Sequence, residues 1–268
     1  MKKLIALSLN FCMCLSLSLL FAGCGNDSNT NNNFSQSKNS GSSSKYSSNS
    51  TGVNNNSSNN GNNINIPTAN SFEELERSIA NDIEQTINQL SAKWQSLKSE
   101  IVDYDDYMDN ANKIEDFYDE INETVENACI RLQKYTVQYA ELIMESNISN
   151  DDKYDAFEDL LDCIYEDATD DLYDDVYGDL LDDMQEVLYE GALDNSDDAP
   201  SYSDWIDIRS DEYSNWLDTR LDVYSNWLDT RSDIYSFFLD MRSELWGNDL
   251  ERAEEIFDDY KEDVEKLS

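Results

Sequence analysis

From Ser71 onward the apolar residues recur in steps of three and four, with no strand-like alternation. The first run is Leu75, Ile79, Ile83, Ile87, Leu90, Trp94, Leu97 and Ile101, and Tyr104 and Met108 extend it. Ser71-Phe72-Glu73-Glu74 opens it as a capping box, so the pattern predicts a helix over about 71–108 that breaks at Asp109-Asn110. A second helix is expected over about 111–145, ended by the polar cluster 146–150. A third is expected over about 151–193, on the stripe Phe157, Leu161, Ile164, Ala168, Leu172, Val176, Leu180, Met184 and Leu188. Gly178 interrupts that stripe at a helical cost of about 1 kcal/mol relative to Ala. The turn Asp194–Ser201 leads into a fourth helix, over about 202–266.

The fourth helix carries an eleven-residue repeat: SDWIDIRSDEY, SNWLDTRLDVY, SNWLDTRSDIY, SFFLDMRSELW. Eleven residues make close to three helical turns, so each slot returns to one face. One aromatic slot holds Trp205, Trp216, Trp227 and Phe238, and a second holds Tyr213, Tyr224, Tyr235 and Trp246. The basic slot, Arg209, Arg220, Arg231 and Arg242, falls between them, inside the apolar face. Only Arg209 has an acid within helical reach on that face, Glu212. An inward guanidinium can stack on aromatic rings, and it also seeks a carboxylate from another helix. An antiparallel hairpin of helices three and four, centred near Asp197, puts Arg209 near Glu186, Arg220 near Asp174, Arg231 near Asp162 and Arg242 near Asp151. Such a ladder fixes register more than it adds stability. The alternative is that the arginine stems cover the apolar face and their heads reach water. The stripe continues in phase past Trp246 through Leu250, Ala253, Ile256, Phe257, Tyr260, Val264 and Leu267. That continuity favours a projecting or gently bent C-terminal arm over one that turns back at Gly247.

Before Ser71 the composition changes. Residues 25–70 hold 16 Asn and 12 Ser, with Asp27, Lys38 and Lys45 the only charges. Such a segment lacks the apolar surface to offset its ordering entropy, and reads as a disordered tether. Upstream stand Met1-Lys2-Lys3, an apolar stretch from Leu4 to Phe21, and then Phe21-Ala22-Gly23-Cys24. A basic start, an apolar core and small residues before a cut site make a secretory leader. Ala22, Gly23 and Cys24 in that setting resemble the lipobox of bacterial lipoproteins, with Phe21 where an aliphatic residue is usual. The resemblance implies cleavage before Cys24, acylation of its thiol and anchorage on the extracytoplasmic face of the cell membrane. The expected domains are therefore a leader over 1–23, an acylated Cys24 with its tether over 24–70, and an all-α domain over 71–268. That domain is expected as an elongated antiparallel bundle of long helices.

Charge restricts the function. The chain carries Lys+Arg 18 against Asp+Glu 58. Loss of Lys2 and Lys3 with the leader leaves 16 against 58, a net charge of −42. Nucleic acid is excluded as a direct partner, because phosphates are neutralised by Lys and Arg. Cationic proteins, peptides or Ca²⁺ remain. There is no His, which removes the commonest general base and metal ligand. No EF-hand spacing is present and no cofactor is called for, so the metal and catalytic sites are both read as none. The residues favour a non-enzymatic binding or scaffold module, open to self-association. An acidic sink for Ca²⁺ or a cationic peptide comes second, and a carboxylate-based hydrolase is the weakest reading. Cys129 and Cys163 fall on apolar positions that a hairpin of helices two and three brings within about a turn, so free thiols and a disulfide are both open.

Overall fold

The structure, a computed structural model, describes residues 64–194 and 199–267. They form an all-α bundle of five helices, with no strand among the described residues. Helix α1 is Phe72–Lys98, α2 is Tyr104–Glu145, α3 runs over 150–192, α4 is Tyr202–Gly247 and α5 is Leu250–Lys266. Consecutive long helices alternate in direction. α2 and α3 form the middle layer, with α1 against both on one side and α4 against both on the other, while α5 packs on α2 and α4. The leader, Cys24 and most of the tether lie outside the described residues. The tether's expected last residues do not: Ala69 is buried, Ile66 packs against the core, and Lys134 Nζ donates to the Ile64 carbonyl at 2.6 Å.

Each helix start has a local cause. Ser71, Asp103, Ser149 and Ser201 sit in extended conformation, and each side chain accepts the backbone N–H three residues on. Asp103 explains why the first break falls at 99–103 and not at the expected Asp109-Asn110. With Asp105 and Asp106 it supplies a complete acidic N-terminus. Asn110 is then buried inside α2, its amide donating to the Asp106 carbonyl at 2.9 Å.

The last helix is also divided, against the expectation of a projecting arm. Asn248 adopts the left-handed conformation (φ 57°), and the Asp249 N–H reaches back to the Glu244 carbonyl at 2.9 Å. This is a Schellman-type stop, made by Asn248 and not by Gly247. Asp249 then caps α5, which folds back so that Tyr260 stacks on Phe237 (4.1 Å between ring centres) and Lys261 reaches Glu141 at 2.9 Å.

Helix α3 departs most from expectation. Its α-helical stretches, Asn150–Leu160, Thr169–Tyr173 and Leu181–Met184, alternate with π-helical ones, Leu161–Ala168, Asp174–Leu180 and Gln185–Ala192. The buried positions explain why. Leu160, Ile164, Ala168, Leu172, Val176, Leu180, Met184, Leu188 and Ala192 are all buried, at an unbroken spacing of four. In a regular α-helix each such step drifts by about 40°, so the stripe would nearly circle the helix in about eight steps. Interleaved π turns, closed by i→i+5 bonds, hold one residue more per turn. They bring the average close to four per turn and keep the stripe facing the core.

Candidate functional site

The seam between α3 and α4 carries the chain's most repetitive chemistry. On α4 equivalent residues return every eleven positions and on α3 every twelve, and both intervals are three turns, about 16 Å. Trp205 Nε1 donates to the Leu193 carbonyl at 2.8 Å, Trp216 to Leu181 at 2.8 Å and Trp227 to Thr169 at 3.0 Å. Each acceptor is the first residue after a π-helical stretch. Phe238 fills the fourth slot and has no N–H to give.

The four arginines follow the same beat. Arg209 lies over the Tyr189 ring at 4.2 Å, Arg220 over Tyr177 at 4.1 Å, Arg231 over Tyr165 at 3.9 Å and Arg242 over Tyr154 at 3.7 Å. The ring four residues back on α4 lies on the other side, at 4.9–5.2 Å. Every guanidinium is thus held between a tyrosine of α3 and an aromatic ring of its own helix. Its carboxylate is Asp194 for Arg209, Asp182 for Arg220, Asp170 for Arg231 and Glu158 for Arg242. The arginine side chains are only 14–21 % exposed, whereas these acids are 49–70 % exposed. Stacking, not the half-solvated ion pair, therefore carries most of the energy. Burial raises the Asp170 carboxyl above its ordinary range, although Arg231 beside it pulls the other way.

These acceptors correct the expected ones. Glu186, Asp174, Asp162 and Asp151 lie two turns short of the residues that pair. The first two turns of α4 extend past the end of α3, so Arg209 stands level with Asp194 and the hairpin is centred near Ser201. A four-residue period presents acids on the same face at both heights, so the register is set by the rings and carbonyls. Glu212 is corrected too. It does not serve Arg209 but is buried against α2, accepting O–H bonds from Tyr107 at 2.7 Å and Tyr118 at 2.6 Å.

The second aromatic slot lies at the outer edge of the seam, where Tyr213, Tyr224, Tyr235 and Trp246 meet Tyr189, Tyr177, Tyr165 and Tyr154 of α3 with ring centres 5.3–6.1 Å apart. Tyr213, Tyr224, Tyr235 and Trp246 are exposed, as are Ile206, Leu217, Leu228 and Leu239 beside them. The tyrosine partners inside the seam, Tyr165, Tyr177 and Tyr189, stand twelve apart on α3. That spacing, with Thr169, Leu181 and Leu193 at the same interval, was the sequence signal for the seam. Tyr154 breaks the beat by one residue, and there Arg242 Nε is buried with no partner, which makes this the least complete of the four sites.

Cys129 and Cys163 are both free and face different helices: Cys129 lies beside Thr230 of α4, and Cys163 lines a hollow with Glu76 and Ile79 of α1. Burial pushes their thiols up to about 11 and about 12, so both stay protonated at neutral pH. Among the described residues no group of three or more Cys, Asp or Glu is placed to hold a metal ion, and no helix is long and apolar enough to cross a membrane. Comparison with protein families, curated proteins and solved structures finds no match.

Burial raises the Glu212 carboxyl above its ordinary range, outweighing the two tyrosine donors. The folded state then holds this proton more tightly than the unfolded one. The ionised carboxylate costs stability above the folded pKa, and the cost fades as pH falls through it. Glu212→Gln is accordingly expected to melt higher than wild type at pH 8, with the difference closing as pH is lowered toward 4. Paired thermal melts across that range measure it, and the pairing removes the shared effect of the other acids.

Proposed function

We propose that this chain is a lipid-anchored extracytoplasmic protein whose helical domain is a non-enzymatic binding or scaffold module. The part-exposed Tyr/Leu row of α4 carries the reading. Four repeats keep large apolar side chains in the same two outward slots, where a solvated helix face calls for polar residues. A contiguous exposed apolar strip of this kind is the usual mark of an interaction surface. The anchor is supported by Phe21-Ala22-Gly23-Cys24 behind a basic, apolar leader, and the Asn/Ser tether gives the domain reach from the membrane. The absence of His, the inert thiols and the open, acid-lined hollows support binding over catalysis.

The anchor is tested by labelling cells with an alkyne palmitate analogue: wild type is labelled and Cys24→Ala is not. The module is tested by cross-linking on intact cells. Adducts heavier than the chain form with wild type and are lost when Leu217, Leu228 and Leu239 are all changed to Ser. Adducts that persist in the triple variant, or that never form with wild type, overturn the module reading.

A further inference from the structure

The exposed strip is bounded on both sides by carboxylates. On α4, Asp207, Asp218, Asp229 and Asp240 recur at the eleven-residue interval, each one residue beyond an Ile or Leu of the strip, and all are exposed. Across the seam, the face of α3 opposite its buried stripe carries an acid at almost every fourth residue from 158 to 194: Glu158, Asp170, Asp182 and Asp194 pair with the arginines, and Asp162, Glu166, Asp174, Glu186 and Glu190 stand between them. Gly178 is the only gap, and nearly all of these acids are exposed. Between the two rows run Tyr213, Leu217, Tyr224, Leu228, Tyr235 and Leu239, each 37–47 % exposed. From Ile206 to Leu239 the strip is about 50 Å long. At its lower end Tyr154, Phe238, Leu239, Arg242 and Trp246 line a hollow of about 400 Å³.

Taking the binding-module reading as its premise, we propose that the strip receives a cationic amphipathic helix, its apolar face on the Tyr/Leu row and its Lys or Arg flanks on the two acid rows. The pattern matches helix-in-groove recognition, in which apolar anchors recur at three- and four-residue spacing. The basic flanks supply complementary potential and a fast, salt-dependent encounter. A second copy of the chain is a poor occupant. Laying one strip on another sets four acid rows of like sign together, between molecules that each carry a net charge of −40. The strip's regular period suits a straight helix in either direction.

The test uses the purified full chain and an 18-residue peptide with Leu at three- and four-residue spacing and Lys elsewhere. A scrambled peptide of identical composition is the control, since any strongly acidic protein attracts Lys. Fluorescence anisotropy should show the patterned peptide binding at least tenfold tighter than the scrambled one. The Leu217, Leu228, Leu239 triple Ser variant, whose charge is unchanged, should bind both alike. Equal binding of the two peptides by wild type overturns the proposal, as does a wild-type preference that survives in the triple variant. A concentration-dependent dimer in sedimentation that the same variant abolishes also overturns it, because the strip's occupant is then a second copy. If peptide discrimination fails while strip-dependent adducts on cells persist, the cationic-helix proposal falls and the module reading stands.

Discussion

Deleting Ser225 from α4 is expected to abolish the cooperative fold, whereas deleting Gly178 from α3 is expected to leave it standing. The two residues are alike in being small and in making no contact that decides the packing. They differ in the helix around them. α4 is α-helical throughout and makes three turns in eleven residues. Losing one residue rotates everything beyond it by about 100°. Ile234, Phe237, Phe238, Met241 and Leu245 would leave the core together, a loss well beyond the roughly 4–5 kcal/mol that marks exceptional single changes. α3 spends twelve residues on the same three turns, and the extra residue of its middle repeat lies within the π-helical stretch Asp174–Leu180. Removing Gly178 lets that stretch close as ordinary α-helix with the residues on either side still in phase. An added Cβ at Gly178 would meet nothing within 4 Å, so no close packing depends on the position. Circular dichroism melts of the two deletion variants compare them directly. Equal collapse of both would mean that the twelve-residue beat is not an α-helix with one inserted residue per repeat.

The second large effect concerns Arg231, the least exposed guanidinium of the four, which also donates to Thr169 Oγ1 at 2.9 Å. Arg231→Met keeps the stem but removes the stacked cation and its donors. It is expected to cost about 2–3 kcal/mol, from two cation–π contacts and the hydrogen bond to Thr169. Asp170→Asn removes the other half of the ion pair and is expected to cost less than about 1 kcal/mol, as for other half-exposed pairs. Urea denaturation of both variants gives the comparison. If Asp170→Asn proves the costlier change, the seam is an ionic ladder and not a stack.

These two cases mark what the amino-acid pattern revealed and what it hid. The helices were legible because Leu, Ile and Trp recur at helical spacing and Ser71 caps the first of them. The eleven-residue slots correctly put Trp205, Trp216 and Trp227 on a packing face and the arginines among aromatic rings. The register was not legible, because acids fill nearly every outward position of α3 and most hairpin centres find a carboxylate near each arginine. The discriminating signal was the tyrosine beat, 165, 177 and 189, which runs at twelve and not eleven and so falls out of step with a uniform α-helix. The outward turn of Tyr213, Tyr224 and Tyr235 was hidden for the same reason. With α3 supplying its own tyrosines to the stacks, those of α4 pack on the outer edges of those rings and keep one side exposed. The reversal after Gly247 was carried by Asn248-Asp249, a stop and a cap in adjacent residues, within an apolar stripe that runs on unbroken.

The repeated tryptophans are the inner face of a seam, with their N–H groups docked on carbonyls twelve residues apart at Thr169, Leu181 and Leu193. Indole N–H exchange, followed by NMR for each of the five tryptophans, tests it most directly. Trp94 donates to Asp183 at 2.7 Å, and Trp205, Trp216 and Trp227 donate to carbonyls, whereas Trp246 is 75 % exposed. Four slow indoles and one fast one, Trp246, are expected. Exchange of Trp216 and Trp227 as fast as that of Trp246 would contradict the seam.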